Sequence, residues 1–164
     1  MRDVPEAFAL HPSSTPHPEP RLRILIADDH LGVREAMACL LTLIGFEIVA
    51  QAEDGAVAVA LAKQVTPDLI LMDLSMPVLN GLDATRLIHR ALPGTPVVIL
   101  SAYDSAELRH AAQAAGAAAY LVKGLPVETL RTTLLRLLPT APNAGPTTAD
   151  IVAVRSGRDR DQVG

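Results

Sequence analysis

Five short apolar runs, each followed by a stretch with helical periodicity, leave this chain few folds to choose from. The runs are Leu22–Ala27, Phe46–Ala52, Leu69–Met72, Val97–Leu100 and Ala118–Val122. Apolar runs of this length, bounded by turn residues, read as strands, and those that are apolar throughout read as strands covered on both faces. Phe46–Ala52 alternates instead, which suits the edge of a sheet. Between and after the runs come helices expected over Leu31–Ile44, around Val57–Leu61, then Leu82–Ala91, Ser105–Ala115 and Pro126–Leu138. Strands joined through helices imply a parallel sheet with helices on both faces and right-handed crossovers. The expected architecture is α/β, a single doubly wound domain over residues 21–138.

The periodicity also nominates core residues. The first helix should face inward with Val33, Met37, Leu40, Leu41 and Ile44, and the second with Val57, Ala60 and Leu61. The third should bury Ala84, Leu87, Ile88 and Ala91, and the last Val127, Leu130, Leu134 and Leu137, with Pro126 at its first turn. Gly45 stands where a left-handed helix cap is wanted, with Phe46 as its hydrophobic contact. Cys39 reads as a small buried hydrophobe.

Composition removes several function classes. Of 164 residues 49% are apolar but only 2% aromatic, so a base-stacking platform lacks material. A net charge of −4 argues against a dedicated nucleic-acid binder. The single cysteine excludes an internal disulfide, and no apolar run approaches the roughly 18 residues of a membrane span. No membrane partner and a cytoplasmic location are therefore expected. Residues 1–20, with prolines at 5, 12, 16, 18 and 20, read as a disordered extension, and residues 139–164 as a disordered, charge-balanced tail.

The chemistry collects at the strand ends. The first run closes on Asp28-Asp29, the third on Asp73, the fourth on Ser101 and the fifth on Lys123. Any one of these has an ordinary reading: an acid capping a turn, a hydroxyl in a turn, a solvated lysine. Together they differ, because neighbouring strand ends lie about 5 Å apart and would bring all of them to one rim. Crowded carboxylates repel unless a cation joins them, and hard oxygen ligands with a hydrated shell suit Mg²⁺. A lysine ammonium opposite, and a hydroxyl able to donate, complete an arrangement for placing a phosphoryl group. Asp73 would be the nucleophile and an aspartyl phosphate the product. The chain has no glycine-rich phosphate loop, so the donor is expected to carry its own activated phosphate rather than be a nucleoside triphosphate.

These markers resemble the receiver domain of two-component response regulators, with the match running from about Arg21 to Leu138. They are Asp28-Asp29, Asp73-Leu-Ser-Met-Pro77 with Asn80-Gly81, Leu100-Ser101-Ala102, and Gly116-Ala117 through Tyr120-Leu-Val-Lys123. The resemblance implies a flavodoxin-like fold of strand order 2-1-3-4-5. It implies that Asp73 accepts phosphate from a sensor histidine kinase or phosphotransfer protein, and that the chain is not an enzyme beyond assisting its own phosphorylation and dephosphorylation. Asp29, Asp73 and the backbone carbonyl of Ser75 would bind Mg²⁺, with Asp28 acting through water. Ser101 and Tyr120 would form a switch that remodels the surface of the fourth helix, fifth strand and fifth helix, where an output protein or a second copy docks. Small Ala102 would leave the acyl phosphate open to water.

Two departures qualify the resemblance. Gly124 follows Lys123 where many relatives carry proline, so a cis peptide is not implied. The wording Val33-Arg34-Glu35 and Tyr120-Leu-Val-Lys123 is similar to receivers that continue into a LuxR-type helix-turn-helix, yet the stretch after Leu138 has neither helical periodicity nor basic character. The expectation is a stand-alone receiver acting through partner proteins or dimerisation. The alternative is the regulatory half of a truncated DNA-binding transcription factor. A haloacid-dehalogenase-type phosphotransferase wants an acid two residues after its nucleophile, where Ser75 stands. A receiver-like fold that binds without phosphorylation is disfavoured because no marker is missing.

Overall fold

The computed structural model describes residues 21–137. The extensions expected at 1–20 and 139–164, and Leu138 at the expected end of the last helix, lie outside the described residues. Ten elements alternate: β1 (Arg23–Ala27), α1 (Leu31–Leu43), β2 (Glu47–Ala52), α2 (Gly55–Val65), β3 (Leu69–Asp73), α3 (Gly81–Ala91), β4 (Val97–Ser101), α4 (Ala106–Ala114), β5 (Ala119–Val122) and α5 (Val127–Leu137). The five strands form one parallel sheet in the order β2-β1-β3-β4-β5. β2 is an edge strand, as its alternation suggested, and this is the doubly wound, flavodoxin-like arrangement.

Each central strand feeds two cores because successive side chains point to opposite faces. On one face Leu25, Ala27, Ile70, Met72 and Ile99 pack with Ala58, Ala62, Ala84, Ile88 and Ala112 of α2, α3 and α4. On the other, Ile24, Ile26, Leu69, Leu71, Val98 and Leu100 pack with Leu41 of α1 and with Leu130 and Leu134 of α5. Every residue of β3 and β4 is buried. At roughly 1.5–3 kcal/mol for each large aliphatic side chain taken from water, these two strands anchor the sheet.

Several expected core positions are exposed. Val33, Leu87 and Val127 lie at the surface, as do Ala60, Ala91 and Cys39. In α3 the buried stripe is Gly81, Ala84, Thr85 and Ile88. Thr85 can occupy it because its hydroxyl donates to the Gly81 carbonyl at 2.7 Å, so no polar atom is left unmet. In α2 the stripe is Gly55, Ala58 and Ala62, small residues that let the helix lie close: a Cβ on Gly55 would fall 2.2 Å from the Leu79 carbonyl oxygen. In α1 the stripe runs through Arg34 and Leu41, one position on from Val33. The α1 terminus follows expectation. Gly45 adopts φ +102°, and the Phe46 N–H donates back to the Leu41 carbonyl while its ring is buried.

Candidate phosphoryl-acceptor site

Strand register brings the polar strand ends together. Ala27 pairs with Met72, so the residues that follow, Asp28 and Asp73, leave the sheet side by side. Asp73 pairs with Leu100 and Ser101 with Val122, which sets Ser101 and Lys123 on the far side of Asp73. Asp28, Asp73 and Ser101 are 4%, 6% and 2% exposed, a rare degree of burial for two carboxylates unless they are paired. The partner is Lys123, whose Nζ lies 2.7 Å from Asp28 Oδ2 and 2.5 Å from Asp73 Oδ1. The other oxygen of Asp73 accepts from the Ser75 N–H at 2.8 Å.

Local backbone geometry explains how Asp73 is aimed. Asn80 caps α3 by accepting from the Asp83 N–H at 3.0 Å, and the Gly81 N–H returns to the Leu74 carbonyl at 3.0 Å. A Cβ on Gly81 would meet the Asp73 carbonyl oxygen at 2.1 Å, so only glycine lets α3 start this close to the strand end. Between them Val78 takes φ +64°, unusual for a β-branched residue, within a tight turn closed by the Leu79 N–H on the Pro77 carbonyl. Lys123 is placed by its own N–H, which donates to the Ser101 carbonyl at 2.8 Å. Gly124 next to it has φ +90°, a conformation closed to proline, which accounts for the departure noted in the sequence.

The electrostatics are mixed. Burial lifts the Asp73 carboxyl above its ordinary value, against the lowering effect of Lys123 and with a further upward push from the Asp28 charge. Burial alone would lower the Lys123 ammonium, but its hydrogen bonds and charge contacts with Asp28 and Asp73 outweigh this and raise it. The lysine is thus held charged beside the carboxylates. A cleft of ≈ 200 Å³ opens over Asp73, lined also by Ser75, Ser101, Ala102, Lys123 and His30.

Asp28, Asp29 and His30 each present a ligand atom within 4.8 Å of the others. Asp29 Oδ1 is buried with no hydrogen-bond partner; the His30 Nδ1 lies 2.8 Å away without forming a hydrogen bond to it. An orphaned carboxylate oxygen in an oxygen-rich pocket fits a hard divalent cation such as Mg²⁺. His30 was not among the expected ligands. Ser75, whose carbonyl was expected to contribute, is exposed beside the same cleft.

Ser101 and Tyr120 do not touch each other through a hydrogen bond. Ser101 Oγ accepts from the Tyr103 N–H at 3.1 Å. The half-buried Tyr120 donates its hydroxyl to the Tyr103 carbonyl at 2.7 Å, and Arg109 of α4 stands 5.0 Å over its ring. Arg109 in turn binds Asp104 through Nε and a terminal nitrogen at 2.9 and 2.7 Å. Both switch candidates therefore converge on one loop, 102–105, rather than on one another. Sequence reasoning missed Arg34, buried in α1, whose guanidinium donates to the Asp28 backbone carbonyl at 2.5 Å. The signal was present: Arg34 stands three and seven residues before Met37 and Leu41, on the apolar stripe of its helix.

Among the described residues, no helix is long and apolar enough to cross a membrane. A family model described as response regulator receiver domain matches residues 24–135. The transcriptional regulatory protein YdfI of Bacillus subtilis is 43% identical over 109 residues, covering 66% of this chain and 51% of the relative. The transcriptional regulatory protein PdtaR of Mycobacterium tuberculosis is 42% identical over 108 residues, covering 66% and 52%. The chain thus spans about half the length of these curated relatives. Among solved structures, chemotaxis protein CheY4 of Vibrio cholerae superposes with TM-score 0.67 at 31% identity, covering 73% of this chain and 100% of the other. The signal receiver domain of NarL from M. tuberculosis does so with TM-score 0.69 at 29% identity, covering 72% and 96%.

Proposed function

We propose, on the premise that this chain belongs to the response regulator receiver domain family, that Asp73 is its phosphoacceptor. The observation that carries the assignment is the buried Asp73 carboxylate at the end of a central strand, paired at 2.5 Å with Lys123 beside Asp28 and under an open cleft. In the proposed step an oxygen of Asp73 attacks the phosphorus of a phosphohistidine on a sensor kinase or phosphotransfer protein. The P–O bond forms as the P–N bond breaks, and the imidazole nitrogen keeps the electron pair and takes up a proton. Lys123 shifts its hydrogen bond from the carboxylate to a phosphoryl oxygen, and Ser101 Oγ donates to another. Asp28, Asp29 and Asp73, with the Ser75 carbonyl, would hold Mg²⁺, which when bound neutralises charge on the transferring oxygens. Water reaching past the small Ala102 later attacks the phosphorus, the bond between phosphorus and the Asp73 oxygen breaks, and inorganic phosphate leaves as the carboxylate is restored.

The output is proposed to be a population shift. Phosphate drawing Ser101 inward pulls on the loop that Tyr120 and Arg109 hold, and biases the α4–β5–α5 surface toward an output protein or a second copy. The receiver is proposed to span residues 21–138. Incubation with acetyl phosphate and Mg²⁺, followed by intact mass, should show one added phosphoryl group that is absent in Asp73→Asn. Phosphorylation persisting in that variant would overturn the assignment. A second reading, the regulatory half of a DNA-binding regulator, is favoured by relatives named as transcriptional regulators that are about twice the matched length. Gel shifts with the full reading frame separate the two.

A further inference from the structure

Asp28 is fixed on every side. Its N–H donates to the Ala52 carbonyl at 3.1 Å, Oδ1 accepts from the His30 N–H at 2.9 Å, and Oδ2 accepts from Lys123. Its carbonyl, just past the last paired residue of β1, accepts from Arg34. Arg34 is 9% exposed and forms no ion pair among the described residues. A guanidinium so buried, and aimed at one backbone carbonyl, is costly unless that contact is needed. The carbonyl belongs to the peptide that joins Asp28 to Asp29. Asp29 is held less firmly: its Oδ1 has the ring nitrogen of the exposed His30 2.8 Å away but accepts no hydrogen bond.

We infer that Arg34 is a positioning residue for the divalent cation: by clamping the Asp28–Asp29 peptide it aims both carboxylates into the metal pocket. This rests on the proposed Mg²⁺ site. Outer partners of metal ligands commonly contribute 10–100-fold to affinity. A merely electrostatic role has the opposite sign, because removing a cation near Mg²⁺ would strengthen binding. The two accounts therefore diverge in a single measurement.

The measurement is the Mg²⁺ concentration giving half-maximal phosphorylation by acetyl phosphate, read by intact mass, for wild type, Arg34→Met and Arg34→Lys. Melting temperature in EDTA and across the same Mg²⁺ series is recorded for each, which reads cation affinity without phosphorylation. The clamp predicts a requirement raised about ten-fold or more in Arg34→Met and restored to within about three-fold in Arg34→Lys, which keeps a cationic donor on a long stem. An unchanged or lowered requirement in Arg34→Met overturns the inference, including the case where only its melting temperature falls. If Arg34→Met does not fold, Arg34→Ala decides, because it too has no donor for the Asp28 carbonyl: a wild-type requirement in Arg34→Ala overturns the inference. A wild type phosphorylated without regard to Mg²⁺ removes the underlying metal reading, which is distinguishable because no variant is needed to see it.

Discussion

Replacing Gly81 by alanine sets two effects of opposite sign against each other. Alanine is the better helix former, by up to about 1 kcal/mol in a helix interior and less at a first position. Gly81 has no positive φ, so nothing in its own backbone forbids the change. Against that, the new Cβ would sit 2.1 Å from the Asp73 carbonyl oxygen, 3.0 Å from its carbon and 3.1 Å from the Leu74 Cα. Ordinary contact begins at 3.4 Å, so 3.4 − 2.1 leaves 1.3 Å to be found between two pieces of backbone. Neither moves freely: Leu74 donates to the Leu100 carbonyl of β4, and the Gly81 N–H is bonded to the Leu74 carbonyl. Overpacking of this kind costs about 1–3 kcal/mol, and here no flexible side chain can absorb it. The net expectation is a loss of about 2 kcal/mol, or roughly 6–12 °C in melting temperature for a domain of this size. Thermal melts followed by circular dichroism measure it. Gly32→Ala is the control, since Gly32 lies in α1 with nothing within 4 Å of its Cβ, and it should hold or raise the melting temperature. Because the displaced atom belongs to Asp73, acetyl phosphate labelling should slow as well. A Gly81→Ala protein that melts at or above the wild type would refute the steric argument.

Four further outcomes follow from the same structure. Asp73 is raised by burial, so the native state holds its proton more tightly than the unfolded chain and stability falls as pH climbs from about 3.8 through the folded value. Asp73→Asn should therefore melt higher than wild type at neutral pH, with the gap closing in acid; a lower melting temperature at neutral pH would contradict this. Lys123 is raised, so its contribution is fully present below pH 10.5 and is lost above it, a decline that alkaline melts of Lys123→Met should lack. Mg²⁺ at ten times its dissociation constant should add about 1.4 kcal/mol of stability by mass action, and the shift should vanish in Asp29→Asn. Val78→Gly releases about 1–2 kcal/mol of left-handed strain and gives back about 0.5–1 in chain entropy. Its melting temperature should rise by a few degrees, and a fall would show that the turn is not strained.

The fold was legible because its main signal is redundant. Each central strand is apolar on both faces, and five strand runs at helix-length intervals imply a doubly wound parallel sheet. The strand order 2-1-3-4-5 came from the resemblance to receivers. The site was legible for a related reason: a polar residue ending an apolar strand has one place to be. Helix faces were harder. The stripe of α3 passes through Thr85, which periodicity counts as polar but which meets its own backbone, and the stripe of α2 through alanines chosen for closeness. In α1 the inward position belongs to Arg34, a charge whose partner is a carbonyl that no side-chain pattern displays. Where Tyr120 rests was equally hidden, because its hydroxyl is held by the backbone of Tyr103.

Lys123 reaches Asp28 across 95 residues of chain, from the last strand of the sheet to the first. Its strand, β5, is half-buried along its whole length, whereas β3 and β4 are wholly buried. A molecule whose final strand had peeled away would still have Asp73 but no ammonium beside it. On the proposed reading such a molecule would not answer a phosphodonor. The β5 docking equilibrium would then set the fraction of molecules competent to receive a signal, and a nascent or heat-damaged copy would drop out of the pathway before it could pass on a false one.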